Sequence, residues 1–79
     1  MDISEFTVIA NITRSREPIR TAVMLVLVDG HSDMEAAEIT GVLTQTIRKT
    51  VTRFKYIDAE IRRAYLVPKT LFSTMQRGA

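Results

Sequence analysis

Apolar residues recur at helical spacing through most of the chain. Near the amino end, Ile3, Phe6, Ile9 and Ala10 fall on one side of a helix of about eight residues that the Ser4 hydroxyl can cap. Asn11 to Arg16 is polar and reads as a connection. Pro18 suits the first turn of a second helix, where its missing N–H has no intrahelical partner to lose. Ile19, Ala22, Val23, Val26 and Leu27 then repeat at helical intervals, and the length of the run decides for a helix despite its β-branched content. Asp29-Gly30 ends it, because Gly30 can take the left-handed conformation of a helix terminus.

Ser32-Asp33-Met34-Glu35 has the form of a capping box, in which hydroxyl and carboxylate each satisfy the other residue's amide. It predicts a third helix over Asp33 to Thr40, with Ala36, Ala37 and Ile39 available for packing, broken at Gly41. A fourth helix is expected from Thr44 to about Tyr56. Its inward stripe is Ile47, Val51 and Phe54, and its other side holds Gln45, Arg48, Lys49, Thr52 and Lys55. Threonines at 44, 46, 50 and 52 lower its intrinsic propensity, so packing must hold it.

Beyond Ile57 the pattern changes. Residues 61–67 are rich in strand formers, with Ile61, Arg63, Tyr65 and Val67 on one face, and Pro68 suits the opening of a last short helix through Lys69, Leu71, Phe72 and Met75. A lone strand needs a partner from a second copy. The competing reading is one helix from Thr44 through Tyr65, which Asp58, Ala59 and Glu60 do not oppose. The preferred fold class is mainly α. A helix-turn-helix bundle of four helices (residues 1–57) precedes a short strand and C-terminal helix (residues 58–79) used for dimerisation.

At 79 residues the chain is one small unit. Such a chain buries only roughly 60% of its unfolded surface, which makes dimerisation a common remedy. It has no cysteine, and so no disulfide or thiolate metal site. No apolar run reaches the length of a membrane span, and Met1 is followed by Asp2 and Glu5 rather than the apolar core of a signal peptide. A soluble cytoplasmic protein is therefore expected.

The net charge is only +2, but it is polarised. Residues 1–40 carry seven acids against three bases, whereas residues 41–79 carry eight bases against two acids. One face meant for a polyanion explains this; a solvated mixed-charge surface is the plainer alternative.

Gly30 to Phe54 gives the charge a context. Counted from Asp33, a helix-turn-helix wants a small residue at its fifth place and glycine at its ninth, and Ala37 and Gly41 stand there. Val42 and Ile47 then seat the second helix, whereas Thr40 and Thr50 occupy places more often aliphatic. In that unit the second helix enters the major groove of double-stranded DNA. Gln45 can read adenine, Arg48 and Lys49 can reach guanine, and Thr44 and Thr46 can touch thymine methyls or phosphates. Thr52, Arg53 and Lys55 lie further along and suit phosphate contacts. Arg14 and Arg16 add either phosphate contacts or a solvated loop.

Other chemistry finds little footing. His31 is the only histidine, which does not make a metal site, and Glu35 and Glu38 have no histidine or serine partner. Neither a glycine-rich phosphate loop nor a nucleophile elbow is present. No enzyme, cofactor or small-molecule effector is expected.

At these residues the chain resembles the TrfB/KorA-like repressors of bacterial plasmids. Leu27-Val28-Asp29-Gly30 stands where the family has LVDG, followed at family spacing by Ala37, Gly41, Ile47, Val51 and Arg53; Ser4-x-Phe6 also sits at the expected distance. Ala64-Tyr65-Leu66-Val67-Pro68 looks like the segment through which the family dimerises, although the connection between the two parts is several residues shorter here. Gly30-His31-Ser32 with Glu35 and Glu38 also resembles the PapB-like regulators. The resemblance implies a homodimer on a palindromic operator, repressing plasmid promoters, with dimer contacts from Ile61, Arg63, Tyr65, Leu66, Val67, Leu71, Phe72 and Met75. It places base contacts near Thr44 and Lys49 and phosphate beside Arg53. The chain departs from the family in carrying Thr44 where KorA-like proteins have arginine and Lys49 where they have glutamine, so the operator sequence does not carry over. Two other readings stay open: a protein-interaction module working through the acidic stretch Asp29 to Glu38, and an architectural DNA-binding accessory protein.

Overall fold

In the computed structural model, which describes residues 1–66, four helices follow one another: α1 (Ile3–Ile12), α2 (Ile19–Leu27), α3 (Asp33–Thr40) and α4 (Thr44–Leu66). The mainly α fold expected from the sequence is present. No strand occurs among the described residues.

Capping chemistry sets the starts. Asp2, not Ser4, caps α1: its carboxylate accepts from the Glu5 N–H at 2.8 Å while Glu5 Oε1 accepts from the Asp2 N–H at 3.2 Å. Asp2-x-x-Glu5 is a complete capping box, whereas three residues after Ser4 stands Thr7. Ile3, expected toward the core, stands in the first turn of α1 and is 53% exposed. At α3 the expected box forms, with Glu35 N–H donating to Ser32 Oγ at 3.1 Å and Ser32 N–H to Glu35 Oε1 at 3.0 Å. Gly41, at φ +77°, is the left-handed cap that ends α3, whereas α2 ends on Val28 in right-handed backbone and Gly30, at φ +79°, turns the chain two residues later.

One core joins the helices. Phe6, Ile9 and Ala10 of α1, Ala22 and Val23 of α2, Ala36 of α3, Val42 of the turn, and Ile47, Val51 and Phe54 of α4 form a single buried cluster. The Phe6 and Phe54 rings stack at its centre, with centroids 5.4 Å apart and planes inclined by 29°. α2 packs against both α3 and α4, and α1 against α2 and α4. Ile39, expected at a packing position, is 60% exposed instead. On so short a helix Ala36 and the half-buried Ala37 face the core, and Ile39 falls outside their arc.

The expected strand is corrected. α4 runs without interruption to Leu66 and takes in Ile61, Arg63, Tyr65 and Leu66, so it also crosses residue 57. Neither glycine nor proline interrupts residues 44–66. Ile57 and Ile61 extend the stripe of Phe54 and pack against the core. Arg62 Nε donates to Asp58 Oδ2 at 3.0 Å and its Nη2 to Glu5 Oε2, tying the far part of α4 to the start of α1, while Arg63 pairs with Glu60 at 3.7 Å. Strand propensity reports fit to a pleated surface rather than a fixed backbone preference, and no such surface is offered here. The expectations at Val67, Leu71, Phe72 and Met75, and the helix after Pro68, lie outside the described residues.

Candidate functional site

The junction of α3 and α4 is built by backbone chemistry. The Gly41 N–H donates to the Ala37 carbonyl at 2.8 Å. Thr40 Oγ1 donates to the Ala36 carbonyl at 2.7 Å and accepts from the Val42 N–H at 3.3 Å, which closes the turn. Val42 is buried against the core, so the chain is pinned before α4 begins. The sequence assigns the helix contact to Ala37; Ala36 is the fully buried residue, and Ala37 lies half-buried beside it.

α4 begins differently from α1 and α3. The Leu43 carbonyl accepts from the Ile47 N–H at 3.1 Å, which makes Leu43 the capping position. Its side chain has no oxygen to offer the first-turn amides and is 74% exposed. The amino end of α4 therefore keeps donors and a partial positive charge directed outward.

With Ile47, Val51 and Phe54 buried, the opposite side of α4 faces solvent. Gln45, Arg48, Lys49, Thr52, Arg53 and Lys55 are all exposed, while Thr44 and Thr46 are half-buried. These eight expected contact residues share one helix, and no acid occurs on it before Asp58. Arg48 is not free of partners, because its Nε donates to Asp33 Oδ2 at 3.2 Å. Of the residues expected at a dimer contact, Ile61 is half-buried against its own core and Arg63 is exposed.

A feature missed in the sequence lies beside this face. The connection from α1 to α2 lies beside α4, and the two bound a shallow basin of ≈ 380 Å³ whose lining includes Arg14, Arg16, Lys49 and Arg53. The loop is fixed by a complete helix-ending motif. The Ser15 N–H donates to the Ala10 carbonyl at 3.0 Å and the Arg14 N–H to the Asn11 carbonyl at 3.2 Å. Arg14 thereby stands where glycine is usual, at φ +54°. That conformation costs an L-residue about 1–2 kcal/mol. The clustered bases of the polar connection were visible in the sequence; their approach to α4 was not.

The acidic side lies around α3. The Glu35 carboxyl is held below its ordinary value, chiefly by the Ser32 N–H and then the Ser32 hydroxyl, with the His31 imidazole a further cause. His31 Nδ1 lies 3.7 Å from Glu35 Oε2. Among the described residues no group of three or more histidine or carboxylate side chains is placed to hold a metal ion, and no helix is long and apolar enough to cross a membrane.

Compared with protein-family models, curated proteins and solved structures, the chain matches none.

Proposed function

We propose that this chain is a sequence-specific DNA-binding transcriptional repressor of the TrfB/KorA-like plasmid type, acting as a homodimer on a palindromic operator. The observation that carries the reading is the exposed side of α4, where six polar or basic side chains stand opposite a buried apolar stripe, with no acid before Asp58. In this reading α3, the Gly41 turn and α4 act as a helix-turn-helix. Thr44, Gln45, Arg48 and Lys49 approach base edges, and Thr52, Arg53 and Lys55 grip phosphate. Leu43 joins them, as an exposed apolar side chain beside Thr44 suited to a thymine methyl. The uncapped amino end of α4 favours a phosphate nearby. Dimerisation is assigned to residues 61–75, the first six of which belong to α4. Two copies of α4 then meet successive major grooves roughly 34 Å apart.

The test is a titration of labelled duplexes from plasmid promoter regions across a salt series. Binding should weaken steeply with salt, by a log–log slope of about 0.9 per phosphate neutralised. Undetectable affinity, or affinity indifferent to salt, overturns the reading.

A second reading draws on the outer side of α3, where Met34 and Ile39 are exposed beside Glu35 and Glu38. Acidic and apolar groups together suit a protein partner. Capture of such a partner with no retardation of any DNA would favour it.

A further inference from the structure

The basin between the α1–α2 connection and α4 extends beyond the recognition face, because part of its lining comes from the connection. Arg14 and Arg16 reach it from the connection, and Lys49 and Arg53, one helical turn apart, reach it from α4. Ser15 and Thr50 add hydroxyls to its wall. The one acid on its rim, Glu17, is turned toward α2: its Oε1 accepts from the Thr21 N–H at 3.0 Å and its Oε2 from the Thr21 hydroxyl. None of the four cations forms an ion pair among the described residues, unlike Arg48, Arg62 and Arg63. Four like charges gathered around one depression repel one another, and an anion set between them removes that repulsion. Arg14 is also held in left-handed backbone, where glycine would fit without strain.

We propose that this basin is a phosphodiester clamp: it takes a backbone phosphate of the duplex whose groove α4 enters, with Arg14 and Arg16 as a second arm of the interface. The clamp rests on the reading of α4 as the DNA-contacting helix. Lys49 and Arg53 stand on the boundary between the two surfaces, so a strand leaving the groove alongside α4 passes over the basin. The connection then fixes how deeply and at what angle α4 is seated, a role that is independent of base sequence.

The experiment measures fluorescence anisotropy of a short labelled duplex of mixed sequence over a salt series, using the full chain and the variants Arg14→Gly, Arg16→Ala and Arg20→Ala. Arg14→Gly removes the charge at a position that prefers glycine, so its melting temperature should equal or exceed that of the parent. Its log–log salt slope should nevertheless be shallower by about 1, with low-salt affinity lower by about tenfold. Arg16→Ala should behave likewise. Arg20, which donates to Asn11 Oδ1 at 3.3 Å and does not line the basin, supplies the control and should change neither quantity. A parent that binds with steep salt dependence while Arg14→Gly and Arg16→Ala keep its slope overturns the clamp and leaves the α4 reading standing. An equal loss in Arg20→Ala also overturns it, since the effect is then one of net charge. A parent that fails to bind the duplex at low salt overturns both.

Discussion

Arg48 of α4 donates from Nε to the Asp33 carboxylate at 3.2 Å, which links the second residue group of the candidate reading face to the first residue of α3. The carboxylate also sits at the amino end of α3, where negative charge is favourable. The pair thus joins the two helices of the proposed motif and draws one cation of the face toward its acidic neighbour. Being exposed on the arginine side, it contributes little to stability.

Replacing Asp33 by Asn should therefore lower the melting temperature only by a few degrees, through the charge lost at the amino end of α3, and should release Arg48. Affinity for mixed-sequence DNA should rise several-fold, measured by anisotropy at fixed salt. Unchanged or weaker binding would place Arg48 away from the nucleic acid.

Gln45 and Lys49 are exposed, so removing both should spare the fold. The variant Gln45→Ala/Lys49→Ala should retain the circular-dichroism melt of the parent while operator affinity falls by about 2–4 kcal/mol, taking each base contact at the low end of its range. An intact fold with undiminished affinity would show that recognition lies elsewhere.

The part of the molecule most legible in the sequence is the part decided by local chemistry. Ser32 with Glu35, Gly41 and Thr44 mark the bounds of α3 and the start of α4, because a capping box and a left-handed glycine act within a few residues. At the amino end two capping residues compete, and Asp2 prevails over Ser4 because only it has a glutamate three places on. Residues 61–66 carry the β-branched and aromatic content of a strand, but Ile57 and Ile61 continue the buried stripe of Phe54 and keep the segment helical. The basin was illegible for a different reason: Arg14 and Arg53 come to line one basin only after α1 and α4 have packed, and no local pattern encodes that approach.

The stacked Phe6 and Phe54 rings predict where the fold is most vulnerable. Phe54 is 0% exposed, and Phe54→Ala should cost about 3–5 kcal/mol, a large share of the stability of so small a chain. Urea denaturation of Phe6→Ala, Phe54→Ala and the double variant should give a sum larger than the double-variant loss, by about 0.5–1.5 kcal/mol for the ring pair. Strict additivity would mean that the rings do not interact.

Gly41 separates backbone strain from crowding. A Cβ at this position meets nothing within 4 Å, yet φ is +77°. Gly41→Ala should therefore destabilise by about 1 kcal/mol through conformation alone, and Gly41→Asn by less, since asparagine tolerates the left-handed region. Equal losses for the two variants would point to a lost contact instead of strain.

The two capping boxes predict an acid limb in the stability profile. Asp2 and Glu35 are both held below their ordinary values of 3.8 and 4.5, Asp2 chiefly by the Glu5 N–H and Glu35 chiefly by the Ser32 N–H. A carboxyl whose folded pKa is depressed stabilises the fold above its unfolded value, and that contribution is lost as pH falls through the folded value. Melting temperature should thus be insensitive to these groups between pH 5 and 7, roughly, and should decline below about pH 4.5. Arg62, held above its ordinary range by the hydrogen bond to Asp58 and the charges of Asp58 and Glu5, stays protonated throughout and adds no slope of its own there. Glu35→Gln keeps an acceptor for the Ser32 N–H but removes the charge. It should melt below the parent at neutral pH, and the two curves should converge as the parent's Glu35 takes up its proton. A gap that stays constant down to pH 3 would show that the charge of Glu35 does not stabilise α3.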